Sequence, residues 1–273
     1  MRSEAAGDQI QVTGTRLSSP EISGEAKPLL LVGPSLGTSV EALWGPAVPF
    51  LQEEFDVVGW DLPGHGAAAP QPGPFRIEDL AEAVQRFSEA VMREAGSSRP
   101  VHFAGVSIGG AVVQQLAVSA EPGSGKIAVL CSAARIGTPE AWRERASFVE
   151  RAGTPSMVEG SARRWFAPGF IESQPVAAAA LLHSLQNADR HAYARCCEAL
   201  AEFDLREALS TARVPVLAVA GAEDAVCPPA EARLIAERVP HGEHQVLPGV
   251  AHLAPAEAPR ATAHLLKEFF LER

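Results

Sequence analysis

Val101-His-Phe-Ala-Gly-Val-Ser-Ile-Gly-Gly110 is the stretch that decides the fold, because the hydrophobic rhythm changes in its middle. Up to Gly105 it is a short, mostly apolar run of strand length, and from Gly109 to Ser119 apolar residues recur at helical spacing. Ser107 sits at the junction, flanked at two positions on either side by Gly105 and Gly109. A serine in a sharp strand-to-helix turn needs small neighbours there, because larger side chains collide and the strained turn pushes its hydroxyl outward. The N–H of Ile108 then falls at a helix N-terminus, where unpaired donors and the helix dipole favour developing negative charge. The pattern predicts a nucleophile elbow with one oxyanion donor at Ile108.

The same rhythm extends outward in both directions. Short apolar runs at Pro28 to Gly33, Asp56 to Asp61, Pro100 to Gly105, Lys126 to Cys131, Pro215 to Gly221 and Glu243 to Leu247 read as buried strands. Ile77 to Glu94 and Gly109 to Ser119 read as helices between them. This alternation predicts an α/β fold, a mostly parallel central sheet with helices on both faces. The interval from Arg135 to about Ala212 breaks the rhythm, with helix-like stretches at Pro139 to Arg151, Ser156 to Trp165, Pro175 to Leu185 and Arg190 to Glu202 and no convincing strand. It is expected to be an inserted helical cap (135–212) on a core domain made of 1–134 and 213–273, because an insertion at the carboxyl edge of a parallel sheet lies beside the usual ligand crevice.

The partners of Ser107 follow from position. Asp224 lies just past the strand ending at Gly221, and His252 lies in Pro-Gly-Val-Ala-His-Leu-Ala just past the strand ending at Leu247, giving the chain order Ser, acid, His. An imidazole there can take the Ser107 proton and return it to a leaving group. His241 and His244 come before or at the start of the last strand, and His65 in Pro-Gly-His-Gly reads as a turn residue. Glu223 is the close rival of Asp224, and adjacent side chains point different ways, so just one should reach the histidine; Asp224 is preferred, because in Gly-Ala-Glu-Asp-Ala-Val-Cys-Pro-Pro the prolines shape a loop around a shorter carboxylate. The second oxyanion donor is expected in Gly33-Pro-Ser-Leu-Gly-Thr38 at the N–H of Leu36, with the Ser35 hydroxyl as a further substrate contact.

These segments resemble the 3-oxoadipate enol-lactonases of the α/β-hydrolase superfamily nearly end to end. The likeness lies in the elbow, in Pro-Ser-Leu-Gly-Thr38, in Val-Leu-Cys-Ser-Ala-Ala-Arg-Ile-Gly-Thr-Pro-Glu-Ala-Trp142 and in Arg-Arg-Trp-Phe-Ala-Pro-Gly-Phe170. The resemblance implies the α/β-hydrolase fold and hydrolysis, through an acyl-enzyme on Ser107, of a small unsaturated lactone formed in bacterial aromatic catabolism. No metal or organic cofactor is implied. The lactone carries a carboxylate, for which Arg135 at the cap entrance is the candidate cation and Trp142 an apolar wall; either residue serves equally well as cap packing. One segment departs from the family pattern: Trp-Asp-Leu-Pro-Gly-His-Gly66 has Pro63 where enol-lactonases tend to have Arg. That form is usual in esterases and carbon–carbon bond hydrolases of the fold, so a general carboxylesterase or a carbon–carbon bond hydrolase is the alternative enzyme. A non-catalytic ligand receptor is the alternative from another class.

Composition narrows the remaining choices. With 273 residues, 47% hydrophobic and 21% charged, the chain can bury one large core. A net charge of -10 without a basic run excludes nucleic acid as partner and requires a local cation for any anionic substrate. Cys131, Cys196, Cys197 and Cys227 show no disulfide or metal-binding spacing, which fits a reducing, cytoplasmic setting. Met1 to Gln9 has no apolar core of the secretory type, and no apolar run reaches membrane-spanning length. Apolar cap residues are compatible with a homo-oligomer, though nothing in the sequence selects a surface.

Overall fold

Strands without polar alternation are suited to a sheet covered on both faces, and the computed structural model has that arrangement over residues 9–19, 27–96, 99–121 and 124–272, the part of the chain it describes. The N-terminal stretch read above for a secretory signal falls, in residues 1–8, outside the described residues. Seven strands, β1 (Thr13–Arg16), β2 (Leu29–Gly33), β3 (Asp56–Asp61), β4 (Val101–Val106), β5 (Ile127–Leu130), β6 (Val216–Gly221) and β7 (Gly242–Leu247), form one sheet in the order β1-β3-β2-β4-β5-β6-β7. β1 runs antiparallel to β3, and every other neighbouring pair is parallel. β2, β5 and β6 are buried at every residue, β3 and β4 at every residue after the first.

Between the strands run α1 (Val40–Trp44), α2 (Val48–Leu51), α3 (Ile77–Ala95) and α4 (Ile108–Ser119), which packs on α3, β4 and β5. Five helices, α5 (Pro139–Ala152), α6 (Val158–Trp165), α7 (Phe170–Ser173), α8 (Pro175–Asn187) and α9 (Arg190–Glu202), fill the interval between β5 and β6, and α10 (Pro229–Arg238), α11 (Ala254–Glu257) and α12 (Pro259–Leu271) complete the chain. No helix among the described residues is long and apolar enough to cross a membrane.

Each of the six expected strands is present within a residue or two of its expected ends, but the last, read as buried, is an edge strand exposed from Glu243 to Val246 and buried only at Leu247, because β6 covers one side of it alone. β1 was not expected: Thr-Gly-Thr-Arg offers no apolar run, and pairing with β3, Thr13 opposite Asp61, is what makes it a strand. The stretch expected as one helix from Ser156 is a 3-10 turn, Thr154–Met157, followed by α6, with a proline and a left-handed-side Gly153 (φ 80°) at the turn's start.

Backbone hydrogen bonds are among the ties that hold the α5–α9 excursion to the rest. Its neck closes where Leu205 N–H donates to Ala134 O at 2.8 Å. At a second point Asp189 N–H donates to Gly64 O at 2.9 Å, and Tyr193 of α9 stacks on His65 with ring centroids 6.0 Å apart. At another, His252 N–H donates to Trp165 O at 3.1 Å.

Candidate active site

The turn between β4 and α4 is strained as the glycine spacing implies: Ser107 has φ 56° and ψ −114°, a backbone region rarely adopted by a residue with a side chain. Ser107 N–H donates to Leu130 O at 3.0 Å, and the Ser132 hydroxyl donates to Ser107 O at 2.8 Å, so the flanking β5 end holds the strained residue from both sides. A Cβ on Gly105 would lie 2.2 Å from Gly109 O, and one on Gly109 would lie 2.5 Å from Pro34 O. Both obstacles are backbone atoms, which cannot swing aside. Gly109 N–H donates to Pro34 O at 3.0 Å, binding the elbow to the loop after β2. In that loop the Ser35 N–H is taken by the Thr38 hydroxyl at 3.1 Å, and Leu36 supplies the next N–H along. Ile108, the first residue of α4, supplies an N–H of a helical first turn.

His252 Nδ1 lies 2.8 Å from Asp224 Oδ2, with both side chains almost wholly buried. An ionised carboxylate only accepts, so Nδ1 carries the proton and Nε2 is left with a lone pair. The other Asp224 oxygen accepts from Val226 N–H at 2.8 Å and Cys227 N–H at 2.9 Å, which fixes the carboxylate plane. Glu223 is exposed, as are His241 and His244. His65 is buried, with Nδ1 on Pro63 O at 2.9 Å, and burial pushes its pKa down to about 4. A neutral, turn-bound imidazole follows.

Ser107 and His252 open onto one cavity of about 160 Å³, walled also by Ser35, Leu36, Trp142, Arg145, Ser161, Arg164, Trp165 and Tyr193. This is smaller than pockets that hold drug-sized ligands, roughly 300 Å³ and above, so it suits a compact molecule. Trp142 stands in the wall, its Nε1–H bonded to Ile136 O. Arg135 does not: it lies outside the lining and pairs with Asp204 at 3.8 Å, because the chain closing the neck brings that acidic residue alongside it. Two other arginines line the cavity instead. Arg145 lies over the Trp142 ring at 4.7 Å, and Arg164 comes from the last turn of α6. Among the described residues neither is in an ion pair with a carboxylate, and burial followed by the like charge of Arg145 lowers the Arg164 pKa from its ordinary value.

Residue reading alone did not single out Arg145 or Arg164. A signal existed for the second, since Arg163-Arg164-Trp165 was already noted as a motif; helix phase then puts Arg163 outside, on Glu159, and Arg164 inside. Pro63, Gly64 and His65 of the departing segment do not line the cavity, while Tyr193, on which His65 stacks, does.

A model of the alpha/beta hydrolase family matches residues 29–265. The chain is 34% identical over 241 residues to 3-oxoadipate enol-lactonase 2 of Acinetobacter baylyi, covering 88% of each chain. It is 29% identical to 3-oxoadipate enol-lactonase 1 of the same organism, with 92% of each covered. Among solved structures, the enol-lactonase of Burkholderia xenovorans LB400 superposes with a TM-score of 0.86 at 29% identity, covering 96% of each chain.

Proposed function

The chain belongs to the alpha/beta hydrolase family and is a hydrolase, and on that premise we propose that it is a serine lactonase for a small, carboxylate-bearing lactone, namely 3-oxoadipate enol-lactone. The observation that carries this reading is one small cavity that holds Ser107, His252 and two arginines that pair with no carboxylate among the described residues, in a chain of net charge -10. The cations answer the problem an acidic protein faces with an anionic substrate, since a local guanidinium reverses the sign of the field and pairs bidentately with a carboxylate. The enol-lactonase relatives support the substrate.

In this mechanism Arg145 and Arg164 hold the substrate carboxylate, while Trp142 and Trp165 give the ring apolar walls. His252 Nε2 takes the Ser107 proton as Oγ attacks the lactone carbonyl, and the developing oxyanion is held by the N–H groups of Leu36 and Ile108. Collapse breaks the ring C–O bond, and His252 returns the proton to the departing enol oxygen, which tautomerises to a ketone. Water, deprotonated by His252, then cleaves the acyl-enzyme, releasing the new carboxylic acid and free Ser107. Asp224 stabilises the imidazolium formed in each half. Residues 135–212 are the cap in this reading, contributing the two arginines and both tryptophans.

The test is hydrolysis of 3-oxoadipate enol-lactone beside p-nitrophenyl acetate by the wild type and Ser107→Ala. Fast lactone turnover that vanishes in the variant is the expected result. Fast ester cleavage with little lactone turnover removes the substrate and keeps the nucleophile, favouring the esterase reading. Absence of multiple turnover on either favours a ligand receptor.

A further inference from the structure

The loop that carries His252 is gripped by a carboxylate outside both the triad and the cavity wall. Glu257, the last residue of α11, turns back so that Oε1 accepts from the N–H groups of Ala251 at 3.1 Å and Leu253 at 3.0 Å, the two neighbours of His252. Its Oε2 accepts from Ala167 N–H at 2.7 Å, in the linker between α6 and α7. From that same linker end, Trp165 O takes the His252 N–H at 3.1 Å. Residues 251, 252 and 253 thus have all three N–H groups committed, two to Glu257 and one to Trp165, and Glu257 also holds the linker. A closed ring of hydrogen bonds joins the histidine loop to the helical excursion at the point where the Trp165 side chain enters the cavity wall. Burial raises the Glu257 carboxyl above its ordinary pKa, against which the three N–H donors and the nearby His252 pull it down.

We infer that Glu257 is a positioning residue: it seats the His252 loop against the α6–α7 linker, so that the base stands in its working place only when the excursion is seated over the cavity. This rests on the reading of His252 as the base. A carboxylate is needed because each of its oxygens accepts, one from the loop and one from the linker. Gln has the same shape and only one acceptor. With its carbonyl on Ala251 and Leu253, its NH2 faces the Ala167 N–H; flipped, it faces the two loop donors. Either way one arm of the ring breaks while the space stays filled.

Glu257→Gln and Glu257→Ala are measured for kcat and KM separately on the lactone, with Ser107→Ala in the same assay. The imidazole Nδ1 proton shared with Asp224 is followed in the downfield NMR spectrum. Displacement of a catalytic group by a fraction of an ångström to an ångström lowers turnover by about tenfold to a hundredfold. The expected result is that loss in kcat for Glu257→Gln, with KM changed less than about twofold and the Nδ1 proton line shifted or broadened. If Glu257→Ala does not fold, the Gln variant alone carries the test. A Gln variant with wild-type kcat and an unchanged proton line, or one that loses only thermal stability, overturns the inference. Turnover surviving in Ser107→Ala overturns the nucleophile reading instead, and the proton line still judges Glu257 in that case, because it needs no turnover.

Discussion

Asp224→Asn removes one charge, keeps the shape, and leaves the surrounding backbone to decide which way the amide turns. The Oδ1 position receives two N–H groups, Val226 at 2.8 Å and Cys227 at 2.9 Å. The Asn carbonyl must occupy it, because an NH2 group there would leave two donors unpaired at about 1–3 kcal/mol each. The amide NH2 is therefore aimed at His252 Nδ1, which lies 2.8 Å from the other oxygen in the wild type. Nδ1 can pair with an NH2 only as an acceptor, so the ring proton moves to Nε2. An Nε2–H donates to Ser107 where the mechanism needs an acceptor. The same exchange in a serine protease triad lowers kcat by about 10⁴-fold, which at 1.36 kcal/mol per factor of ten is about 5 kcal/mol of transition-state stabilisation. We expect that loss here, measured as kcat on the lactone and on p-nitrophenyl acetate. The melting temperature should fall by no more than about 4 °C, since every hydrogen bond keeps a partner and a loss of 1 kcal/mol moves a chain of this size by roughly that amount. A folded variant retaining more than about a tenth of wild-type kcat would refute the reasoning, because such an effect is far below what a reversed tautomer produces.

Two further outcomes follow from the cavity and the core. Arg145→Gln and Arg164→Gln should each raise KM for the anionic lactone about tenfold or more, the worth of one hydrogen bond to a charged group, while uncharged p-nitrophenyl acetate is little affected; equal losses on both substrates would remove the carboxylate-binding role. Acid stability should also be limited by buried imidazoles: burial pushes the pKa of His65 and of His102 down to about 4, and at His102 the Lys126 charge adds to the effect. The unfolded chain takes up these protons first as pH falls, so their contribution is complete above pH 6.5 and lost toward pH 4. For His65 this amounts to about 3 kcal/mol at 1.36 kcal/mol per pKa unit. The denaturation midpoint against pH should show a slope across that window that is shallower in His102→Phe, and identical slopes would sink the assignment.

The amino-acid pattern by itself determined the elements whose signal is local. Continuous apolar runs specify strands covered on both faces, and β2, β5 and β6 are buried at every position. The glycines about Ser107 specify the turn, for a Cβ at Gly105 or Gly109 meets backbone within 2.5 Å. Chain order placed an acid and a histidine beyond two later strands, and those residues, Asp224 and His252, stand 2.8 Å apart. What the pattern left undetermined depends on segments far apart in sequence. β1 is a strand only because β3 offers it a partner. Helix phase separates an inward Arg164 from an outward Arg163, yet it does not say what lies inward. That Arg135 meets Asp204 while Arg145 and Arg164 meet the cavity is decided by how α5 to α9 pack and close at the neck. Glu257 is a surface-type residue by composition, and it acquires its place because Ala251, Leu253 and Ala167, from two distant parts of the chain, present their N–H groups to it together. Backbone periodicity is written within a few residues, whereas charge pairing and the lining of a cavity are properties of whichever surfaces the tertiary packing brings face to face.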